Sequence, residues 1–225
     1  MNQGIVEFKN KHKGEDIWLI LAGSSLDYVD PSFFEGKLTI CQNQTYRKFK
    51  ADYVVMKDCN ESPRFPESIR ELDELSIPLI YSEYYKGYHR EGRNEVNIPN
   101  SFLFKHNLRY ISLEEEIKLL NEDEIVVSRS TITSLMHIAA YMGAKNIMIC
   151  GHDCGTINGK MYYEGYVQQD WVSASNWSGI SSWLGKLEKE SIMVKEYLKE
   201  KYDCNIHSLN PFLNMNFESN TFVKS

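Results

Sequence analysis

A chain of 225 residues, 42% hydrophobic and 25% charged, can bury one generous core and is neither disordered nor fibrous in composition. Its formal net charge of −6 disfavours a nucleic-acid partner, because domains that bind phosphate backbones are usually basic. Five cysteines at irregular spacing, with no C-x-x-C pair, argue against a disulfide framework or a structural zinc site and for free thiols in a reducing compartment.

The first sixteen residues are polar and hold no signal-peptide core. No run approaches the ~20 apolar residues that span a bilayer. The expectation is a cytoplasmic protein without a transmembrane segment. Residues 17–23 are almost wholly apolar, as in a strand buried on both faces. Residues 38–43, 53–58, 78–83, 124–128, 146–151 and 205–209 read as further strands. Helices are expected over 66–75, with proline in its first turn, and over 113–120 after the cap candidate Ser112. Two more are expected: 131–142, closed by Gly143, and the long amphipathic stretch 183–202.

Strands alternating with helices predict βαβ units and a mostly parallel sheet flanked by helices, a single α/β domain over 1–225. Residues 84–107, rich in Tyr, Arg, Asn and Gly, read as an irregular lid. Residues 156–182, with Tyr162, Tyr163, Tyr166, Trp171 and Trp177, read as a mobile loop. Long irregular stretches in a compact domain are usually functional or mobile.

Four polar turns follow apolar strands. Gly23-Ser24-Ser25 offers exposed amides and two hydroxyls, suited to a phosphate or ribose or simply to capping the next segment. Asn43-Gln44 carries amides that donate and accept without adding charge, fit for reading a base or a sugar. Ser128-Arg129-Ser130-Thr131 precedes a helix, where hydroxyls and amides either cap it or hold an anion. Gly151-His152-Asp153-Cys154 puts an acid–base pair at a strand end, where open α/β sheets bind ligands. His137 lies within an expected helix and reads as packed. In a parallel sheet all four turns emerge at one edge, which favours a shared pocket over four unrelated turns.

The pattern Gly-Ser-Ser-Leu-x-x-x-Asp (residues 23–30) followed by Asn43-Gln44 resembles the amino-terminal signature of bacterial lipooligosaccharide sialyltransferases. It is also similar to that of MptE-like 6-hydroxymethylpterin pyrophosphokinases. Residues 128–155, a Ser/Thr turn, helix, glycine and strand ending Gly-x-Asp, resemble the second signature of both. Residues 205–217 resemble the terminal segment of the sialyltransferases.

The resemblance implies a Rossmann-like sheet with a nucleotide between the first loop and the Ser/Thr turn. Gly23 and Ser25 fall on the family's Gly-x-Ser turn, with Ser24 between them. Asn43 and Gln44 fall on its nucleotide-reading pair, and Ser130 and Thr131 on its hydroxyl pair. Tyr162 or Tyr163 falls near its phosphate-binding tyrosine. Ala22 and Ser24 replace the sialyltransferases' usual Asn and Pro, and the histidine that precedes their last long helix is missing, so His152 or Asp153 would have to take the base role. His152 is the first choice, because an ordinary imidazole value of about 6.5 suits acid–base work, with Asp153 orienting a ligand instead. The implied activity is transfer of a sugar from a nucleotide-sugar donor, with a CMP-sugar favoured, to a glycan or small-molecule acceptor, with no cofactor required. The alternatives are a pyrophosphokinase needing magnesium and ATP, with Asp153 near the metal, and an inactive nucleotide-sugar binding module. A homo-oligomer stays open.

Overall fold

The computed structural model describes residues 3–57, 65–82, 100–104, 111–127, 130–166 and 177–209. Its strands are β1 (Gln3–Gly4), β2 (Asp16–Ile20), β3 (Leu38–Gln42), β4 (Tyr53–Met56), β5 (Leu79–Ser82), β6 (Ser101–Phe104), β7 (Asn146–Cys150) and β8 (Asn205–Ser208). Its α-helices are α1 (Phe65–Glu74), α2 (Leu113–Leu119), α3 (Thr131–Tyr141) and α4 (Trp177–Tyr202). The strands form one sheet in the order β1-β6-β5-β4-β3-β2-β7-β8, and every neighbouring pair is parallel. β1 is only a two-residue edge strand. The predicted Rossmann-like α/β class is therefore the observed one.

From β2 the chain steps outward through β3, β4, β5 and β6, then returns to place β7 and β8 on β2's other side. The order reverses between β2 and β7, the switch point at which such sheets leave a crevice beyond their carboxyl ends. Register is fixed by burial on both faces: Ile17 stands opposite Leu38 and Ile147, and Ile20 opposite Cys41 and Cys150.

One face is covered by helices. α3 is buried at every position because it lies on β2, β3, β4 and β7 and is itself covered by α4. α4 turns Leu187, Ser191, Val194 and Leu198 inward, a three-and-four spacing that puts all four on one stripe. α2 begins with a full capping box, in which Ser112 Oγ accepts the Glu115 N–H and Glu115 answers on the Ser112 N–H. The other face has a smaller core of Leu26, Phe34, Tyr46, Phe49, Leu72 and Tyr163, covered by α1 and by the 3₁₀ turns Ser24–Tyr28, Pro31–Phe34 and Asn43–Arg47.

Two expectations are corrected here. Residues 101–104 of the expected irregular lid are β6, inserted between β1 and β5. Ser101, Phe102 and Phe104 are buried, and the Phe102 ring meets Phe8 edge-on at 4.4 Å. Residues 84–99 and 105–107 lie outside the described residues. Residues 124–127 of the strand expected over 124–128 pair with no other strand among the described residues. Their buried backbone is satisfied by side chains instead: the Val126 N–H donates to His137 Nδ1 and the Val127 N–H to Glu116 Oε1. The Val126 carbonyl accepts from Ser134 Oγ and the Val127 carbonyl from Lys57 Nζ. An apolar run needs its amides bonded, not bonded to a strand.

The expected mobile segment 156–182 divides into three parts. Residues 157–160 form a tight hairpin with Asn158 and Gly159 at positive φ, the backbone of an Asn-Gly turn. Residues 167–176 lie outside the described residues, and α4 starts at Trp177, ahead of the expected 183.

Candidate site at the switch between β2 and β7

The loops that leave β2 and β7 are joined by Asp153. Its carboxylate accepts the Ser25 N–H at 2.8 Å and Ser25 Oγ at 2.5 Å, with Ser24 Oγ more distant at 3.4 Å. Gly23 allows this approach: a Cβ there would lie 2.5 Å from the Asp153 carboxyl carbon and 2.5 Å from the Gly151 carbonyl oxygen. Gly151 itself sits at φ +75° against Leu26, a conformation that side chains rarely adopt. Both Gly-containing turns are thus required by close packing at the seam.

A third segment closes over the same turn. Residues 161–163 run antiparallel beside 22–24, with Ser24 N–H to Met161 O at 3.2 Å and Tyr163 N–H to Ala22 O at 3.1 Å. This places Tyr162 directly beside Gly23. Its ring stacks on Tyr166 with centroids 5.0 Å apart, and the Tyr166 hydroxyl takes a long hydrogen bond from Asn43 Nδ2 at 3.4 Å. Tyr163 points into the smaller core, edge-on to Phe49 and under the Lys48 ammonium. Burial pushes both phenols up to about 12, so they act as neutral donors at ordinary pH.

Asn43 and Gln44 open the 3₁₀ turn after β3, with Asn43 at φ +50°. Asparagine is among the few residues that tolerate that conformation. Gln44 Oε1 is buried and receives no donor among the described residues. A buried amide oxygen left this way costs about 1–3 kcal/mol. Ser130 stands at the N-cap of α3, but its hydroxyl makes no capping bond; its carbonyl accepts Thr133 Oγ1 at 2.8 Å. Thr131 is buried. α3 runs back against the strands toward β7, so this turn reaches the same sheet edge. Ser128 and Arg129 lie outside the described residues, as does Trp171.

The two candidate bases have different surroundings. Burial raises the Asp153 carboxyl, and its hydrogen bonds with Ser25 and Ser24 pull the other way. His152 is buried and shares a hydrogen bond with Ser191 Oγ of α4 at 3.1 Å, with Cys154 Sγ 3.8 Å away. Burial lowers its imidazole to about 3. His137 is fully buried and lowered to about 3 for the same reason. Accepting from Val126 at Nδ1 leaves its Nε2 proton for the Tyr202 hydroxyl at 2.9 Å.

Among the described residues no group of three His, Cys, Asp or Glu gathers as a metal site, and no helix is long and apolar enough to cross a membrane. Among the described residues, Cys41, Cys150, Cys154 and Cys204 form no disulfide. The sequence reading missed Lys57 and Glu116, both buried and both bonded to Val127. Lys57 had left a signal: a lysine at the carboxyl end of an otherwise apolar strand.

No family profile matches the sequence, and no curated protein matches it. Solved structures do. A sialyltransferase CST-II bound to a trisaccharide acceptor and CMP superposes with a TM-score of 0.51 at 14% identity, over 93% of this chain and 90% of that one. The sialyltransferase CstII of Campylobacter jejuni, bound to the substrate analogue cytidine-5'-monophosphate, also gives 0.51, at 15% identity over 93% and 88%. At that identity the chain shares the sialyltransferase fold.

Proposed function

We propose that this protein is a glycosyltransferase that takes its sugar from a CMP-sugar. Support comes from the fold it shares with two sialyltransferase structures that hold CMP, together with polar turns at the switch point. The observation that carries the nucleotide is Gln44 Oε1, a buried acceptor without a donor among the described residues. Cytosine presents an exocyclic amine that would satisfy it, whereas uracil presents a carbonyl at the same position. Asn43, released from its long contact with Tyr166, adds a second amide. The Tyr162 hydroxyl and Ser130-Thr131 supply donors for a phosphate, whereas the amides and hydroxyls of the Gly23–Ser25 turn, expected to be exposed, are already bonded to Gly151, Met161 and Asp153.

In the proposed reaction the acceptor hydroxyl oxygen bonds to the anomeric carbon of the sugar. The bond from that carbon to the phosphate oxygen breaks, and its electron pair leaves with CMP. The hydroxyl proton goes to Asp153. Its carboxyl is raised toward the useful range by burial, and its contact with Ser24 is long enough to yield. His152 is the poorer base, because its Nε2 is engaged with Ser191 of α4 and its conjugate acid is too strong near neutral pH.

Calorimetry with CMP, UMP, GMP and ATP should show CMP binding tightest, and Gln44→Leu should erase the preference for CMP over UMP. Equal binding of CMP and UMP would remove the base-reading role. A second reading, a binding module without turnover, draws on the engaged state of His152. It predicts CMP binding without release of CMP from a CMP-sugar in the presence of acceptors.

A further inference from the structure

Lys57 and Glu116 come from opposite parts of the fold, the end of β4 and the helix α2, and close on one residue. Lys57 Nζ donates to the Val127 carbonyl at 2.7 Å, and Glu116 Oε1 accepts the Val127 N–H at 2.5 Å. Both side chains are only 6% exposed. Charged groups at that depth are costly to bury unless paired, and hydrogen bonds to a charged partner are shorter and stronger than neutral ones. An apolar strand neighbour would have held Val127 without burying two ionisable side chains. Just upstream, Val126 is held on both its polar groups by His137 and Ser134. The segment is therefore fixed in three dimensions with no strand beside it among the described residues, and Val127 stands three residues before Ser130.

We propose that Lys57 and Glu116 are positioning residues for the Ser130-Thr131 turn, acting through the Val127 peptide groups. The inference rests on the proposed nucleotide site only in giving the turn a ligand; the anchoring itself is a property of the free protein. Lys57 does not contact the nucleotide in this scheme. It sets where Ser130 and Thr131 stand when the phosphate arrives.

Backbone ¹⁵N relaxation of the ligand-free protein reads the anchoring directly. In the wild type, Val127, Ser130 and Thr131 should have order parameters in the rigid range of about 0.85, falling below about 0.6 in Lys57→Met. Glu116→Leu should do the same, and Glu116→Gln, which keeps an acceptor oxygen, should restore rigidity. Leu198→Ala, a cavity variant in α4, controls for general loss of stability and should leave the three amides rigid. Where the wild type binds CMP, the affinity should fall about tenfold in Lys57→Met and Glu116→Leu and stay within about threefold of wild type in Glu116→Gln, since a tenfold change is about 1.4 kcal/mol of binding.

Amides that are mobile in the wild type, or that loosen no more in Lys57→Met than in Leu198→Ala, would overturn the inference. Should Lys57→Met not fold, the Glu116→Leu and Glu116→Gln pair decides it alone. If the amides loosen as expected and the wild type binds no nucleotide, the anchoring stands and the nucleotide reading falls.

Discussion

Residues 22–26 and residues 124–131 both deliver polar turns to the carboxyl edge of the sheet, yet they are held in opposite ways. The first follows a strand with partners on both sides, and its path is set by two glycines, one carboxylate from the neighbouring loop and backbone pairing with residues 161–163. The second has no strand partner among the described residues and hangs on His137, Ser134, Glu116 and Lys57. Backbone pairing tolerates many side chains, so the first turn depends on a few tight contacts. A backbone held by side chains makes each of them matter, so the second depends on groups from α2, α3 and β4 together. The lesson is that a buried extended segment can be built without a ladder, at the cost of burying ionisable residues.

The largest expected effect tests the β2–β7 seam. Asp153→Asn should lower turnover of a CMP-sugar by roughly 10²–10⁴-fold, the range for removing a general base, whereas His152→Gln should lower it less than tenfold. Steady-state kinetics on both variants gives the comparison, and the reverse ranking would return the base role to His152. Gly23→Ala comes next. Its Cβ would meet the Asp153 carboxyl and a backbone oxygen at 2.5 Å, so denaturant unfolding should show a loss of about 2–3 kcal/mol. A loss under about 0.5 kcal/mol would mean that the seam is soft.

A third test separates the regions by pH. His137, in the side-chain-held segment, and His152, at the seam, are both lowered to about 3 from an ordinary value near 6.5. The folded state therefore takes up fewer protons than the unfolded state between those values. Stability from each histidine is fully present above pH about 6.5 and is lost as pH falls toward 3, at about 1.4 kcal/mol per pH unit for each. The raised carboxyl of Asp153 acts in the opposite sense, so each histidine's share is read as the difference between its variant and the wild type. His137→Gln and His152→Gln should each remove one share of the slope, and a flat profile in the wild type would contradict both. Smallest is Ser191→Ala, which takes a partner from His152 and should cost about 1 kcal/mol while leaving CMP affinity unchanged.

Much of the sheet was legible because strands buried on both faces leave unbroken apolar runs, as at Ile17–Leu21 and Ile147–Cys150. β6 was hidden because Phe102, Leu103 and Phe104 stand within a long polar stretch. Residues 124–127 read as a strand because Ile125, Val126 and Val127 are buried as strand residues are; composition reports burial and not which group bonds the amides. At the site, turn residues after β2, β3 and β7 were visible from their position alone. The direction of His152 was not, because facing α4 instead of the crevice is decided by Ser191, distant in sequence. Lys57 and Glu116 escaped for the same reason.

The strand order also bears on how the chain reaches its fold. β2 finds β3 nearby, with Ile17 against Leu38, but waits for its other partner until Ile147 has been made. Closing so long a loop is slow, and contacts of that kind dominate folding times. Until then the β2 edge at Trp18–Ile20 stands open, apolar and central, the kind of edge that invites pairing between chains. A chain stopped before residue 146 would keep that edge permanently, so self-association in such fragments is the expected failure, while the seam at Asp153 forms only after the sheet has closed.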